Sequence, residues 1–115
     1  MIAVIFEALP KEGKHDEYFN LAAQLKPQLF EVDGFISIER FQSMNNPSKL
    51  LSLSFWKDEQ SVQQWRNVEL HRHAQNEGRY SIFEDYRLRV ANVVRDYSMN
   101  NRDEAPADSK LIHQQ

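Results

Sequence analysis

Cysteine is absent from the 115 residues, and there are only three glycines and four prolines. Without a thiol there is no disulfide framework, no thiolate metal site and no cysteine nucleophile. Gly13, Gly34 and Gly78 each stand alone, so neither a glycine-rich phosphate loop nor a Gly-x-Ser-x-Gly elbow can be built, and nucleotide cofactor binding is unsupported. Basic charge is not in excess either. Lys and Arg number 14 against 17 Asp and Glu, a net charge of -3, which offers no general field for nucleic acid. Long apolar runs are missing as well: the apolar start, Met1 to Phe6, is closed by Glu7, far short of the roughly 20 residues a membrane helix needs. The size is that of one ordinary domain. The expectation is a cytoplasmic protein with neither nucleic acid nor membrane as partner.

What is present divides into a patterned body, residues 1–97, and a polar tail, residues 98–115. The tail has no aromatic residue, and Met99, Ala105, Ala107, Leu111 and Ile112 follow no helical or strand period. It is expected to be disordered or to lie as an arm on a partner subunit, with Leu111 and Ile112 as anchors.

In the body, Ile2 to Ala8 is a β-branched and aromatic run of strand type, ended by Pro10 and Gly13. Tyr18, Leu21, Ala22, Leu25 and Leu29 then recur at helical spacing, with Asp16 and Glu17 in the first turn, where the helix dipole favours acids. Pro27 removes the hydrogen bond to Ala23, so a kink or restart is expected near Lys26. Residues 35–42 alternate, Phe35, Ser37, Glu39 and Phe41 against Ile36, Ile38 and Arg40. After the turn at Met44 to Ser48, residues 49–56 set Leu51, Leu53 and Phe55 against Leu50, Ser52, Ser54 and Trp56, completing a hairpin. Asp58 can cap a second helix that carries Val62 and Trp65, with Asn67 as a candidate break and Gly78 as a stop. The last run, Ile82 to Tyr97, alternates as one long strand. Its length of roughly 50 Å would carry its end to another subunit.

The order β-α-β-β-α-β predicts a ferredoxin-like α+β fold, a four-stranded antiparallel sheet with both helices on one face. Strands one and three are apolar on both sides, so both faces call for burial, and a two-fold homodimer packed sheet against sheet would satisfy that.

Few residues carry obvious chemistry. His71 and His73 are two apart, about 200° around a helix, which is poor geometry for a shared metal; no metal site is expected. Histidine is still the best base at neutral pH. His15 opens the first helix and His113 lies in the tail, which leaves His71 and His73. Trp65 fits core packing as well as a pocket wall, and Arg87 and Arg89 share one side of the last strand, where they could meet an anion or form surface ion pairs.

From Ile2 to about Tyr97 the chain resembles the antibiotic biosynthesis monooxygenase domain family. The resemblance rests on the element order, Asp33-Gly34-Phe35, the run Leu51-Ser52-Leu53-Ser54-Phe55-Trp56, and Trp65 followed six residues later by His71 with Ala74 beyond. It implies a dimeric α+β barrel and a cofactor-independent monooxygenase: a small aromatic or quinol-type substrate is deprotonated and its carbanion reduces molecular oxygen, without metal or flavin. By the same resemblance Trp65 lines the pocket, His71 takes or shuttles the proton, and Arg87 steadies an oxygen anion. The alternative within the family is a non-catalytic ligand-binding or interaction member. A haem-degrading branch relies on an Asn in the first strand and an axial His some ten residues after the Trp. Here Ile2 to Ala8 has no Asn and the tenth residue after Trp65 is Gln75, so a haem-binding protein would need His71 or His73 to ligate iron from a shifted helix.

Overall fold

The computed structural model describes the backbone of residues 1–75 and 82–113 and the side chains of residues 1–69 and 82–111. Its elements are β1 (Ile2–Pro10), α1 (His15–Leu29), β2 (Phe35–Gln42), β3 (Leu50–Trp56), α2 (Glu59–Gln75), β4 (Phe83–Asn92) and α3 (Ala107–His113). The strands form one sheet in the order β2-β3-β1-β4, and every neighbouring pair is antiparallel. The ferredoxin-like α+β architecture is therefore present, with a short third helix added.

Register explains which face meets the helices. Ile2, Val4, Phe6 and Ala8 of β1 stand opposite Trp56, Ser54, Ser52 and Leu50 of β3, and opposite Asn92, Val90, Leu88 and Tyr86 of β4. Because side chains alternate along a strand, these residues share one face. Leu29 of α1 and Val62 of α2 pack on that face around Ile2 and Trp56, while Tyr18 of α1 packs near its other end with Ala8, Leu50 and Ile82. The helix layer thus covers the side of β3 that carries the two serines, and the more apolar side, Leu51, Leu53 and Phe55, faces away and is only half-buried.

Four details depart from the sequence-based expectation. Residues 35–37 hold a β-bulge, so Phe35 pairs with Trp56 while Ser37 pairs with Phe55. The extra residue turns Phe35 onto the helix face with Ile38, away from the Ser37 side to which simple alternation assigned it. Pro27 neither breaks nor restarts α1; it lies within three residues of the helix end, where the loss of one hydrogen bond to Ala23 is easily absorbed. Asn67 does not break α2, which is continuous from Glu59 to Gln75. Finally, β4 ends at Asn92 and not at Tyr97, so strand length no longer argues for reach into another subunit. Gly78, the expected stop of α2, lies outside the described residues.

Beyond β4 the tail carries more local structure than its composition suggested. The Arg102 guanidinium stacks over the Tyr97 ring at 5.0 Å and its Nη2 donates to the Ser109 hydroxyl, Ala105 is buried, and α3 follows. An arginine that ties an upstream ring to a downstream hydroxyl is a local device to which periodicity is blind.

The junction that holds α2 to the sheet is well defined. Asp58 Oδ1 accepts hydrogen bonds from the Ser61 backbone N–H and hydroxyl, both at 2.8 Å, which makes Asp58 the N-cap. Those two donors hold its carboxyl below its ordinary 3.8, because they stabilise the ionised form. Gly34 adopts φ +91°, and its carbonyl accepts from the Lys57 N–H at 2.7 Å. A Cβ at Gly34 would overlap the Ser61 hydroxyl, so the expected turn glycine is also a packing requirement between the start of β2 and the first turn of α2.

Candidate active site between the sheet and the helices

The two core clusters are separate, and between them the helix layer stands off the sheet. Close-packed interiors hold few voids larger than a water molecule, yet here a cavity of about 370 Å³ opens between α1, α2 and the sheet. Its floor includes Val4, Phe6, Ile38, Ser52 and Ser54, and its walls include Leu21, Leu25 and Trp65. Tyr86, Leu88 and Val90 of β4 border it and remain exposed.

One end is aromatic. Trp56 is almost fully buried; its indole Nε1–H donates to the Ser54 hydroxyl at 2.9 Å, and its ring meets Phe35 at 5.1 Å and 70°. Trp65 lies 6.5 Å from Trp56, tilted by 31°, and is only partly buried because one side borders the cavity. The α2 residues that line the cavity, Val62, Trp65, Arg66 and Glu69, recur at spacings of three and four, one face of a continuous helix.

At the other end the phenol of Tyr18 is buried, and its ring packs edge-on to Phe83 at 5.8 Å. The guanidinium of Arg40, on the edge strand β2, is 6.0 Å from the Tyr18 ring centroid, and Arg40 is the cross-strand partner of Ser52. These residues follow from register: Arg40 shares a face with Ile38, Ser52, Ser54 and Trp56 because strand neighbours alternate.

The structure brings Trp65 to this cavity. It does not bring Arg87 there. Arg87 pairs with Glu7 in the β1–β4 register, one residue out of phase with the cavity-lining Tyr86 and Leu88, so it stands on the opposite face of the sheet. Its neighbour in phase, Arg89, contacts Glu7 at 3.4 Å on that face, and Lys49 reaches the same carboxylate at 3.6 Å. The arginine assigned to an oxygen anion therefore does not border this cavity. His71 is carried by α2, but its side chain lies outside the described residues, as does that of His73. His15 is elsewhere, its Nε2 2.9 Å from the Ser48 carbonyl.

Sequence reasoning missed Arg40, Ser52, Ser54 and Tyr18 as site residues. The signal was a lone charge, Arg40, in the otherwise apolar series Ile36, Ile38, Arg40, together with two serines on the same side of β3 as Trp56.

The family model for antibiotic biosynthesis monooxygenase matches residues 1–77. The chain belongs to that family. It is 46% identical over 94 residues to a protein of Pyricularia oryzae named jasmonate monooxygenase ABM; the match takes in 82% of this chain and 44% of that protein, so the chain spans less than half the length of that relative. Among solved structures, Rv0793 from Mycobacterium tuberculosis superposes with a TM-score of 0.71 at 16% identity, covering 84% of this chain and 98% of that one. The heme-degrader MhuD from the same organism, solved with two hemes in its active site, gives 0.68 at 16% identity over 85% of this chain and 100% of that one. At such identity these two share the fold. For haem itself, the described residues bordering the cavity include no histidine, cysteine or methionine to ligate iron, and β1 has no asparagine. The side chains of His71 and His73, the two histidines on α2, lie outside the described residues.

Proposed function

We propose that this protein is a monooxygenase that oxidises a small, largely apolar metabolite in the cavity between the sheet and the helices. The observation that carries the reading is the cavity itself, an apolar chamber of about 370 Å³ walled by Trp65 and bordered by arginines, in a chain of the monooxygenase family.

The reaction needs no resident cofactor if the substrate is an enol or phenol, aromatic, quinol-type or a cyclic ketone of the jasmonate kind. A base removes the acidic proton, the carbanion passes electrons to oxygen, and an activated CH2 with O2 yields a carbonyl and one water, so atoms and electrons balance without a reductant. His71 takes the proton in this scheme. His73, two residues further along the same helix, is the control for the same role. Trp65 shapes the chamber and excludes water, which strengthens every electrostatic contact inside it.

We also propose that the half-buried apolar face of the sheet, Ile5, Leu51, Leu53 and Phe55, packs against a second copy of the chain.

Oxygen uptake with a panel of polyphenols and jasmonic acid tests the catalytic reading. A positioned base contributes on the order of 10²–10⁴-fold, so His71→Ala is expected to lose about 100-fold or more in kcat. Equal rates for His71→Ala and wild type would remove His71 from catalysis, and a loss confined to His73→Ala would transfer the role. No uptake above the uncatalysed rate with any of the panel would overturn the reading.

A further inference from the structure

The cavity is electrostatically unlike the chain around it. The sequence carries a net charge of -3, yet among the described residues the charged side chains bordering the cavity are the three cations Lys26, Arg40 and Arg66 and the carboxylate of Glu69. All three cations are exposed, Lys26 and Arg66 on the helices and Arg40 on the edge strand. Among the described residues bordering the cavity, Arg40 is the cation carried by the sheet, in the row that contains Ile38, with Ser52 across the ladder and the Tyr18 ring 6.0 Å away. No carboxylate among the described residues forms an ion pair with it. An arginine held toward an apolar chamber without an acidic partner is a ready donor for an anionic ligand, because its planar fork matches a carboxylate with two parallel hydrogen bonds.

We propose that the cavity recognises an apolar monocarboxylate, its carboxylate bound by Arg40 with the Ser52 hydroxyl as an added donor, and its apolar body directed along the floor toward Trp65. The arrangement is directional: the polar end lies near Tyr18 and the tryptophan pair near the other end, so binding at Arg40 fixes which part of the ligand reaches α2. This assignment rests on the reading that the cavity is the substrate site, and it adds the charge of the substrate and the residue that selects it.

The test compares ligands with the same body and different charge. Jasmonic acid against methyl jasmonate, and decanoate against decan-1-ol, are titrated calorimetrically into the anaerobic protein, so that binding is read without turnover. One charge-assisted anchor corresponds to a preference of about tenfold or more for the acid. Arg40→Gln is expected to abolish that preference and to leave the neutral ligands within about twofold, and Arg40→Lys to restore part of it. Arg40 is exposed on an edge strand, and circular dichroism of both variants checks that they fold. Arg66→Gln serves as the charge control, with a shift in the preference of less than about threefold. Equal affinity for acid and neutral ligand in the wild type, an unchanged preference in Arg40→Gln, a larger effect at Arg66, or failure of both pairs to bind would overturn the proposal. Selective binding of the acid without oxygen uptake would sink the monooxygenase reading and leave the anchor standing; oxygen uptake without acid preference would do the reverse.

Discussion

The two faces of one sheet are built from the same four strands, and they differ in what their charges do. On the helix face Arg40 looks into an apolar cavity with serine neighbours and no acidic partner among the described residues. On the other face Glu7 takes both Lys49 and Arg89, and Arg87 stands in the same ladder position as Glu7. A cation already facing a carboxylate at the surface contributes little to stability or recognition, typically 0.2 to about 1 kcal/mol for an exposed pair, whereas a cation with no acid beside it at an apolar chamber has its hydrogen-bonding capacity available. Residue type does not distinguish Arg40 from Arg87. Strand parity does.

The comparison can be broken most severely from the open face. Leu53 lies between Ile5 and Glu39 in the ladder and faces away from the helices, so Leu53→Asp is expected to convert a species of about twice 13.6 kDa in light scattering into one of 13.6 kDa. A wild-type chain that is monomeric at micromolar concentration would refute the dimer outright. A smaller effect is expected at the junction that holds the helix layer in place. Gly34→Ala forces a Cβ into Ser61 at a positive φ, and should lower unfolding free energy by about 2 kcal/mol in a denaturant titration while the dimer mass stays unchanged. Loss of the dimer in Gly34→Ala would show that the two faces are not independent.

The smallest effect concerns the cap of α2. Asp58 has a carboxyl pKa below its ordinary 3.8. Its ionised form therefore stabilises the fold fully above about pH 4, and that contribution is lost as pH falls through the lowered folded value. Asp58→Asn keeps a capping oxygen and removes the charge. Its thermal midpoint should lie slightly below that of wild type at pH 7, and the gap should narrow as pH falls below 3.8. A gap that widens on acidification would contradict the assignment.

Much of the fold was legible because burial imposes periodicity. Period two in β2 and β3 and the Tyr18-to-Leu29 stripe were enough to give the element order, and the apolar character of both sides of β3 already asked for two covering layers. The bulge at Phe35 was not legible, since one inserted residue reverses parity without changing composition. The end of β4 was overrun because Val93 and Val94 continue an apolar pattern after the ladder has stopped. The site was harder still. Trp65, which a motif marks, borders the cavity; Arg87 does not, because a motif-free arginine on a strand can point to either side. Arg40 and Ser52 become neighbours only through the hairpin register, which sequence spacing does not display.

The central claim is that chemistry belongs to the helix face of the sheet. Oxygen uptake by Trp65→Ala and by Arg87→Gln, measured side by side with the best substrate of the panel, tests it most directly. A loss of about tenfold or more in kcat/KM for Trp65→Ala, with Arg87→Gln within about twofold of wild type, is the predicted result. Unchanged rates in Trp65→Ala together with loss of activity in Arg87→Gln would contradict it and move the site to the other face.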